Sequence, residues 1–344
     1  MRVVIALGGN AMTAADGSAT PAEQRCAIEL AAEPIADLVA AGHQVVVTHG
    51  NGPQVGNLLV KNELAAAVVP PVPLDWCGAQ TQATIGLLLL NALDAALARR
   101  GSASRTAALV SRTRVAADDP AFHRPSKPIG RYLSHDEAQR MIAHGQHWED
   151  RGERGWRRVV ASPEPLECLD SPAAVALLDA GYVVVCSGGG GIPVITGPAG
   201  PSGPASPSST DAPVHGVEAV IDKDLTAALL AVHLPADRLV IATDVENAVA
   251  GWGTPQARPL REISVTEIER LAADGEFASG SMGPKVAAAC GFVRQTGRPA
   301  AITSLPWIAE ALTGARGTIV QSAQHSQHSQ FSQGNEGEAG ARAD

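Results

Sequence analysis

Apolar residues in this chain come in short unbroken runs, set between longer stretches in which apolar and polar positions mix. Val3 to Leu7 is one such run, stopped by Gly8-Gly9, and Gln44 to Thr48 is largely another. Continuous runs of this length predict strands buried on both faces. Between them, Thr20-Pro21-Ala22-Glu23 has the spacing of a capping box with proline at the first helical position, and Gly42 marks where that helix should stop. Pro34, inside the same stretch, predicts a kink. The alternation continues with a long helix from about Trp76 to Arg99, closed by Gly101, and a strand over Thr106 to Val110. A helix near Pro172 to Ala180 precedes a strand over Tyr182 to Cys186. A helix over Asp224 to Leu234 leads to a strand over Leu239 to Thr243, and Ser264-Val265-Thr266-Glu267 is a second capping-box spacing. Buried strands alternating with helices as far as Val320 predict an α/β protein, a three-layer α/β/α sandwich on a mainly parallel open sheet.

Three stretches break this rhythm. About 118–166 is rich in Arg, His and Trp and carries three prolines in its entry arm (Pro120, Pro125 and Pro128). A small hairpin-like subdomain protruding from the sandwich is expected there. Gly197 to Pro213 is a Pro/Gly/Ser loop, and the Gln/Ser/His/Gly-rich 321–344 has the composition of a disordered tail. The expected organisation is therefore one domain over 1–320 followed by the tail.

The chain has 344 residues, 45% of them hydrophobic, enough for a substantial core, but only 3% aromatic, so Ala, Val, Leu and Ile must build it. A net charge of -9 argues against nucleic acid or an anionic membrane as the main partner. The N-terminal apolar run is too short for a signal peptide. The apolar run Ile85 to Leu90 ends at Asn91 and Asp94, far short of the roughly 20 residues a membrane span needs. Five widely spaced cysteines with no C-x-x-C pair suit reduced thiols rather than a disulfide framework or a zinc site. A soluble cytoplasmic protein is expected.

Three of the strands end in glycine: Gly8-Gly9-Asn10, Gly50-Asn51-Gly52 and Gly188 to Gly191. Ligands of open α/β sheets bind beyond the carboxyl ends of the strands, and glycine turns there expose backbone N–H groups to an anion. The familiar nucleotide and hydrolase motifs are absent. There is no G-x-x-x-x-G-K-[ST], no G-x-G-x-x-G after a strand and no G-x-S-x-G. Only four of the 26 basic residues are lysines. Lys61 falls on an ordinary helix and is read as structural. Lys127 falls on the protruding arm, while Lys223 and Lys285 fall at helix entries, where the macrodipole opposes a cation and a bound phosphate would relieve that opposition. Asp222 and Asp224 flank Lys223 and could hold ammonium groups in place. This equipment suits phosphoryl transfer, whose transition state is stabilised mostly by positioning and charge neutralisation. His144 with His147, and His325 with His328, have an i,i+3 spacing, but no carboxylate or cysteine completes a ligand set, and no metal site is expected.

With these residues in view, the chain resembles the amino acid kinase family and, within it, the carbamate kinase branch, over essentially 1–320. The resemblance is carried by Ala6-Leu7-Gly8-Gly9-Asn10-Ala11, Thr48-His49-Gly50-Asn51-Gly52-Pro53, Lys127-Pro128-Ile129-Gly130, Arg154-Gly155-Trp156-Arg157-Arg158-Val159-Val160, Gly216 to Leu225, Thr243-Asp244-Val245 and Gly280 to Val286. It implies reversible phosphoryl transfer between ATP and carbamate, giving ADP and carbamoyl phosphate, with Mg²⁺, in a homodimer, within arginine metabolism. It further implies that Gly8, Gly9, Asn10, Gly50, Asn51 and Gly52 hold carbamate and the transferring group in a lobe of about 1–220. Lys127 would act as a mobile clamp. Lys223 and Lys285 would neutralise phosphates, with Asp224 organising them, and Thr243, Asp244, Val245 and Met282 would border the nucleotide in a lobe of about 221–320. Where the family commonly has an aromatic soon after Thr-Asp-Val, this chain has Glu246-Asn247-Ala248-Val249-Ala250. The alternatives are a family member acting on another small acid and a catalytically silent nucleotide-binding sensor.

Overall fold

The computed structural model describes residues 1–13, 20–197, 213–277 and 282–322. Eight strands form the central sheet: β1 (Arg2–Leu7), β2 (Gln44–His49), β3 (Arg105–Ala108), β4 (Tyr182–Val185), β5 (Arg238–Thr243), β6 (Glu262–Ser264), β7 (Ala300–Ser304) and β8 (Thr318–Gln321). Their spatial order is β6-β8-β7-β5-β1-β2-β4-β3. All neighbours are parallel except β7 and β8. The sheet is continuous across residue 220, because β5 pairs directly with β1.

Alternate side chains of each strand enter opposite cores, which is why the strands read as unbroken apolar runs. Val4, Ala6, Val46, Val184, Leu239 and Ile241 face one layer of helices, while Val3, Ile5, Leu7, Val45, Val47 and Val240 face the other. The first layer includes Lys223–His233 and Met282–Thr296, the second Pro21–Ala40 and Leu74–Arg99. These helices, with Gly52–Ala65, are named in chain order α1 (Pro21–Ala40), α2 (Gly52–Ala65), α3 (Leu74–Arg99), α4 (Lys223–His233) and α5 (Met282–Thr296). Fully burying a Leu or Ile stabilises by about 1.5–3 kcal/mol, and with so few aromatics these aliphatics build most of both cores.

Local signals largely hold. Thr20 and Glu23 form the reciprocal capping box at the start of α1, and Gly42 beyond its end has φ +84°. The helix runs unbroken past Pro34. Ser264 accepts from Glu267 N, but the return half of its capping box does not form. The strand expected over Thr106 to Val110 lies at Arg105–Ala108, on the sheet edge, and Gln321 belongs to β8 rather than to a tail. α3 has 26 residues and is long and apolar enough to cross a membrane, yet Ile85, Leu89 and Leu93 on it are fully buried in the second core. All five cysteines are free thiols. Residues 198–212 of the Pro/Gly/Ser loop, 323–344 of the tail, and His325 and His328 lie outside the described residues.

Between β3 and β4 the chain leaves the sheet. Lys127–Leu133, Trp148–Asp150 and Trp156–Val160 form a three-stranded antiparallel sheet with the last strand in the middle, crossed by the helix His135–Ala143. This is more than the expected hairpin. Leu133, Ala138, Met141 and Trp148 give it a small core of its own. Arg131 Nε donates to Glu63 Oε2 at 2.8 Å, tying the subdomain to α2. Burial raises the Glu63 carboxyl above its ordinary value, against the pull of the Arg131 guanidinium.

Candidate active site

The order β5-β1-β2-β4 places the three glycine-ended strands side by side, with the Thr243 end of β5 next to them. The turns are hydrogen-bonded to their neighbours. Gly8 N donates to Ala242 O at 2.9 Å, and Gly50 N donates to Leu7 O at 3.1 Å. Gly50 is closely packed: a Cβ there would stand 3.3 Å from both Gly9 N and Lys223 Cδ, so these neighbours would have to give by a few tenths of an ångström.

A cavity of about 1600 Å³ opens at this edge. Gly9, Gly50, Asn51, Gly52, Gly189 and Gly191 line its floor, with Lys223 at one side and Lys127 across from the subdomain. Asn51 stands at the N-cap of α2 but its side chain makes no cap hydrogen bond. Its Nδ2 donates instead to Thr81 Oγ1 at 2.9 Å, so the first-turn N–H groups of α2 are left for an anion in the cavity. Gly189 packs against Asn51 so closely, at φ +66°, that a Cβ would lie 2.2 Å from Asn51 Nδ2. Gly8 does not line this cavity. Asn10 lies in the short 3₁₀ turn Gly9–Met12.

Beside the floor sits a buried charge cluster. Lys223 is the first residue of α4 and Lys285 the fourth of α5, and the two helices bring both ammonium groups to Asp224. Lys223 Nζ lies 2.5 Å from Asp224 Oδ1, and Lys285 Nζ lies 3.0 Å from Asp224 Oδ2. The Asp224 side chain is 4% exposed. Burial pushes its carboxyl upward, yet the ammoniums of Lys223 and Lys285 together hold it below the ordinary carboxylate range. Burial lowers the Lys223 ammonium despite Asp224, and the Lys285 charge adds to that lowering. Two cations thus share this one carboxylate, and Lys223 reaches the cavity lining beside Asp222. Asp222 has a different task from the one expected: its Oδ1 accepts from Asp224 N and Leu225 N, capping α4.

The other positions singled out in the sequence are more dispersed. Lys127 is exposed, begins the middle-facing strand Lys127–Leu133, and has no ion-pair partner among the described residues. Thr243 ends β5, with its hydroxyl donating to Asp244 Oδ1 at 3.0 Å, and Val245 follows half-buried. Met282 begins α5 and packs against the first core. Glu246, at the departure from the family pattern, pairs with Arg316 at 3.1 Å, and the Arg316 guanidinium lies 4.5 Å from the Trp307 ring centre. His144 ends its helix and is exposed. Lys61 is exposed at the cavity rim.

Several positioning residues carried no motif. Gln82 Nε2 donates to Gly188 O (2.9 Å) and Ser111 O (3.1 Å), and its Oε1 accepts from Ser111 N, so α3 holds the glycine loop from below. Ser187, at φ 54°, is a rare non-glycine residue in the left-handed region, secured by Ser111 Oγ on its N–H and Thr48 Oγ1 on its carbonyl. Buried His49 donates from Nδ1 to Gly50 O at 2.8 Å. Burial, partly offset by that bond, pushes its imidazole down to about 4, so it is neutral at pH 7. The signal for Thr81 and Gln82 was present: the polar run Gln80-Thr81-Gln82 sits on the helix that continues into buried Ile85 and Leu89.

The model of the amino acid kinase family matches residues 1–304. The carbamate kinase of Thermococcus kodakarensis is 42% identical over 325 residues, covering 93% of this chain and 98% of its own. Carbamate kinase 2 of Enterococcus faecalis is 42% identical over 321 residues, covering 92% and 97%. The solved structure of carbamate kinase from Giardia lamblia bound to AMP-PNP aligns at a TM-score of 0.85 with 41% identity, covering 93% of this chain and 98% of that one.

Proposed function

The chain belongs to the amino acid kinase family, and we propose that within it the protein acts as a carbamate kinase, catalysing ATP + carbamate = ADP + carbamoyl phosphate. The observation that carries this reading is Asp224 held between Lys223 and Lys285 beside three adjacent glycine turns. Relatives about 40% identical over nearly the whole chain, named carbamate kinases, support the choice of acceptor.

In this reading the carbamate oxygen attacks the γ-phosphorus in line. The new O–P bond forms as the bond to the bridging oxygen breaks, and that oxygen leaves with the electron pair as ADP. Carbamate is already an anion, so no general base is required. Charge spreads over the equatorial oxygens, where Lys223 and Lys285 neutralise it and the N–H groups at Gly9 and the start of α2 donate hydrogen bonds to it. Asp224 orients both lysines. Asn10, Asn51 and Gly52 shape the acceptor side, and Gly8 fixes the turn behind it through its hydrogen bond to Ala242 O. Lys127 closes from the subdomain as a clamp, and Thr243, Asp244, Val245 and Met282 border the nucleotide. In this division the 1–220 part holds carbamate, the 221–320 part holds nucleotide, and 118–166 supplies the clamp.

Mg²⁺ enters with the nucleotide. Both Asp224 oxygens are engaged by lysines and Asp222 Oδ1 caps a helix. Among the described residues no group of three or more metal-ligating side chains occurs. Those donors fit a metal carried on the phosphates, as part of the substrate, better than a protein cage. Operation toward ATP formation, a cytoplasmic setting and a homodimer complete the proposal. The test is ATP formation from carbamoyl phosphate and ADP, run beside acetylglutamate, aspartate and UMP as rival acceptors of ATP. Preference for any rival would overturn it.

A further inference from the structure

The subdomain carries a second cavity, about 410 Å³, lined by Ser126, Pro128, Tyr132, Arg151, Arg154 and Arg157. Three guanidiniums meet there in a chain whose net charge is -9. Cross-strand register explains the meeting: Tyr132 and Glu149 both pair with Arg157, from the strands on either side of it. The Arg157 Cζ lies 4.8 Å from the centre of the Tyr132 ring, and its Nε is buried with no hydrogen-bond acceptor. Glu149 Oε2 accepts from Arg151 at 2.5 Å. Arg154 and Arg157 have no ion-pair partner among the described residues. Hydrogen bonds from Arg157 and then Arg154 hold the Tyr132 phenol below its ordinary value, as a locally positive field should.

The position of this cavity gives it a purpose. Pro128 and Arg157 line both it and the large cavity, whereas Lys127 lines only the large one and Ser126 only the small one. One strand therefore separates the two. Guanidinium forks match tetrahedral oxyanions with paired N–H donors, and a tyrosine and a serine hydroxyl add two more donors. We propose that this small cavity is a binding site for a phosphate-class oxyanion, one strand away from the reaction cavity. The occupant is the phosphoryl group of carbamoyl phosphate on its way in or out, or free inorganic phosphate. The choice between those two rests on the carbamate kinase reading, while the site itself does not.

The experiment titrates inorganic phosphate into the full chain at low ionic strength, read by phosphorus NMR line broadening. Lys223→Ala is used as the background, to weaken binding in the reaction cavity. Phosphate binding should persist in that background and weaken roughly tenfold or more when Arg151→Gln and Arg154→Gln are added. Affinity unchanged by the two arginine substitutions overturns the site. In the otherwise native chain, R151Q/R154Q separates the two occupants through ATP formation. A raised KM for carbamoyl phosphate with kcat retained identifies the substrate's phosphoryl group. An unchanged KM, with the effect of added phosphate on the native rate abolished, identifies free phosphate. Absence of ATP formation by the native chain, with phosphate binding still following the arginines, would defeat the kinase reading and leave the site standing.

Discussion

Replacing Asp224 with Asn keeps the shape of the side chain and removes the one anion between two cations. The carboxylate is 4% exposed, and its lysine partners are 16% and 10% exposed at their side chains, so solvent screens little of the change. Removing one partner of a buried ion pair costs about 3–5 kcal/mol, because the remaining charge stays buried and uncompensated. Here two like charges remain, while the Asn carbonyl still accepts one hydrogen bond, which places the expected loss at about 3 kcal/mol. At roughly 2 °C per kcal/mol for a chain of this size, the melting temperature should fall by about 6 °C. The sign of the pH dependence is a second check. Native Asp224 has a lowered carboxyl, so its contribution is present above the ordinary carboxylate value and is lost as pH falls through the folded one. Lys223 is lowered as well, so the folded state binds fewer protons than the unfolded chain there, and stability rises with pH across that window. Without Asp224 the window should widen toward neutrality. Urea unfolding of D224N should therefore show stability climbing with pH, below the ordinary lysine value, more steeply than in the native chain. Native-like stability at pH 7, with no steeper climb, would refute the claim that the ammoniums are charged and held by this carboxylate.

The remaining predictions concern the cavity. Lys285→Ala should leave the fold intact and lower ATP formation from carbamoyl phosphate and ADP by about a thousandfold, in line with loss of one transition-state donor; a rate within tenfold of native would count against the charge-neutralising role. Lys127 is exposed and has no ion-pair partner among the described residues, so Lys127→Ala should leave the melting temperature within about 1 °C while raising KM for carbamoyl phosphate, and unchanged kinetics would remove the clamp. Gly189→Ala combines φ +66° with a Cβ 2.2 Å from Asn51 Nδ2, and should destabilise by about 1–3 kcal/mol while displacing Asn51. Calorimetry alongside substrate kinetics checks both effects, and an unaltered KM would separate Asn51 from acceptor binding.

Much of this molecule is legible in its chain because the relevant signals are local. Val3 to Leu7 reads as a doubly buried strand since both its faces are apolar, and Thr20-Pro21-Ala22-Glu23 announces the start of α1 since its capping bonds span three residues. The glycine turns announce themselves for the same reason. Edge elements are weaker. Arg105–Ala108 has a half-exposed pattern, and little in its side chains marks where pairing with β4 stops.

What the sequence by itself determined is the class of fold, the glycine-ended strands and the lysines set apart from an arginine-rich background. Only the tertiary structure decided which of those share a site. Lys223 and Lys285 are 62 positions apart, yet packing of α4 against α5 brings both onto Asp224. It also divided two neighbouring aspartates, with Asp222 capping a helix and Asp224 gripping the lysines. Spacing along the chain could not separate them, because the difference lies in which side of the first helical turn each carboxylate leaves from. Likewise β1, β2 and β4 become neighbours only through sheet order, which depends on which apolar faces bury together across the whole chain rather than on any single segment.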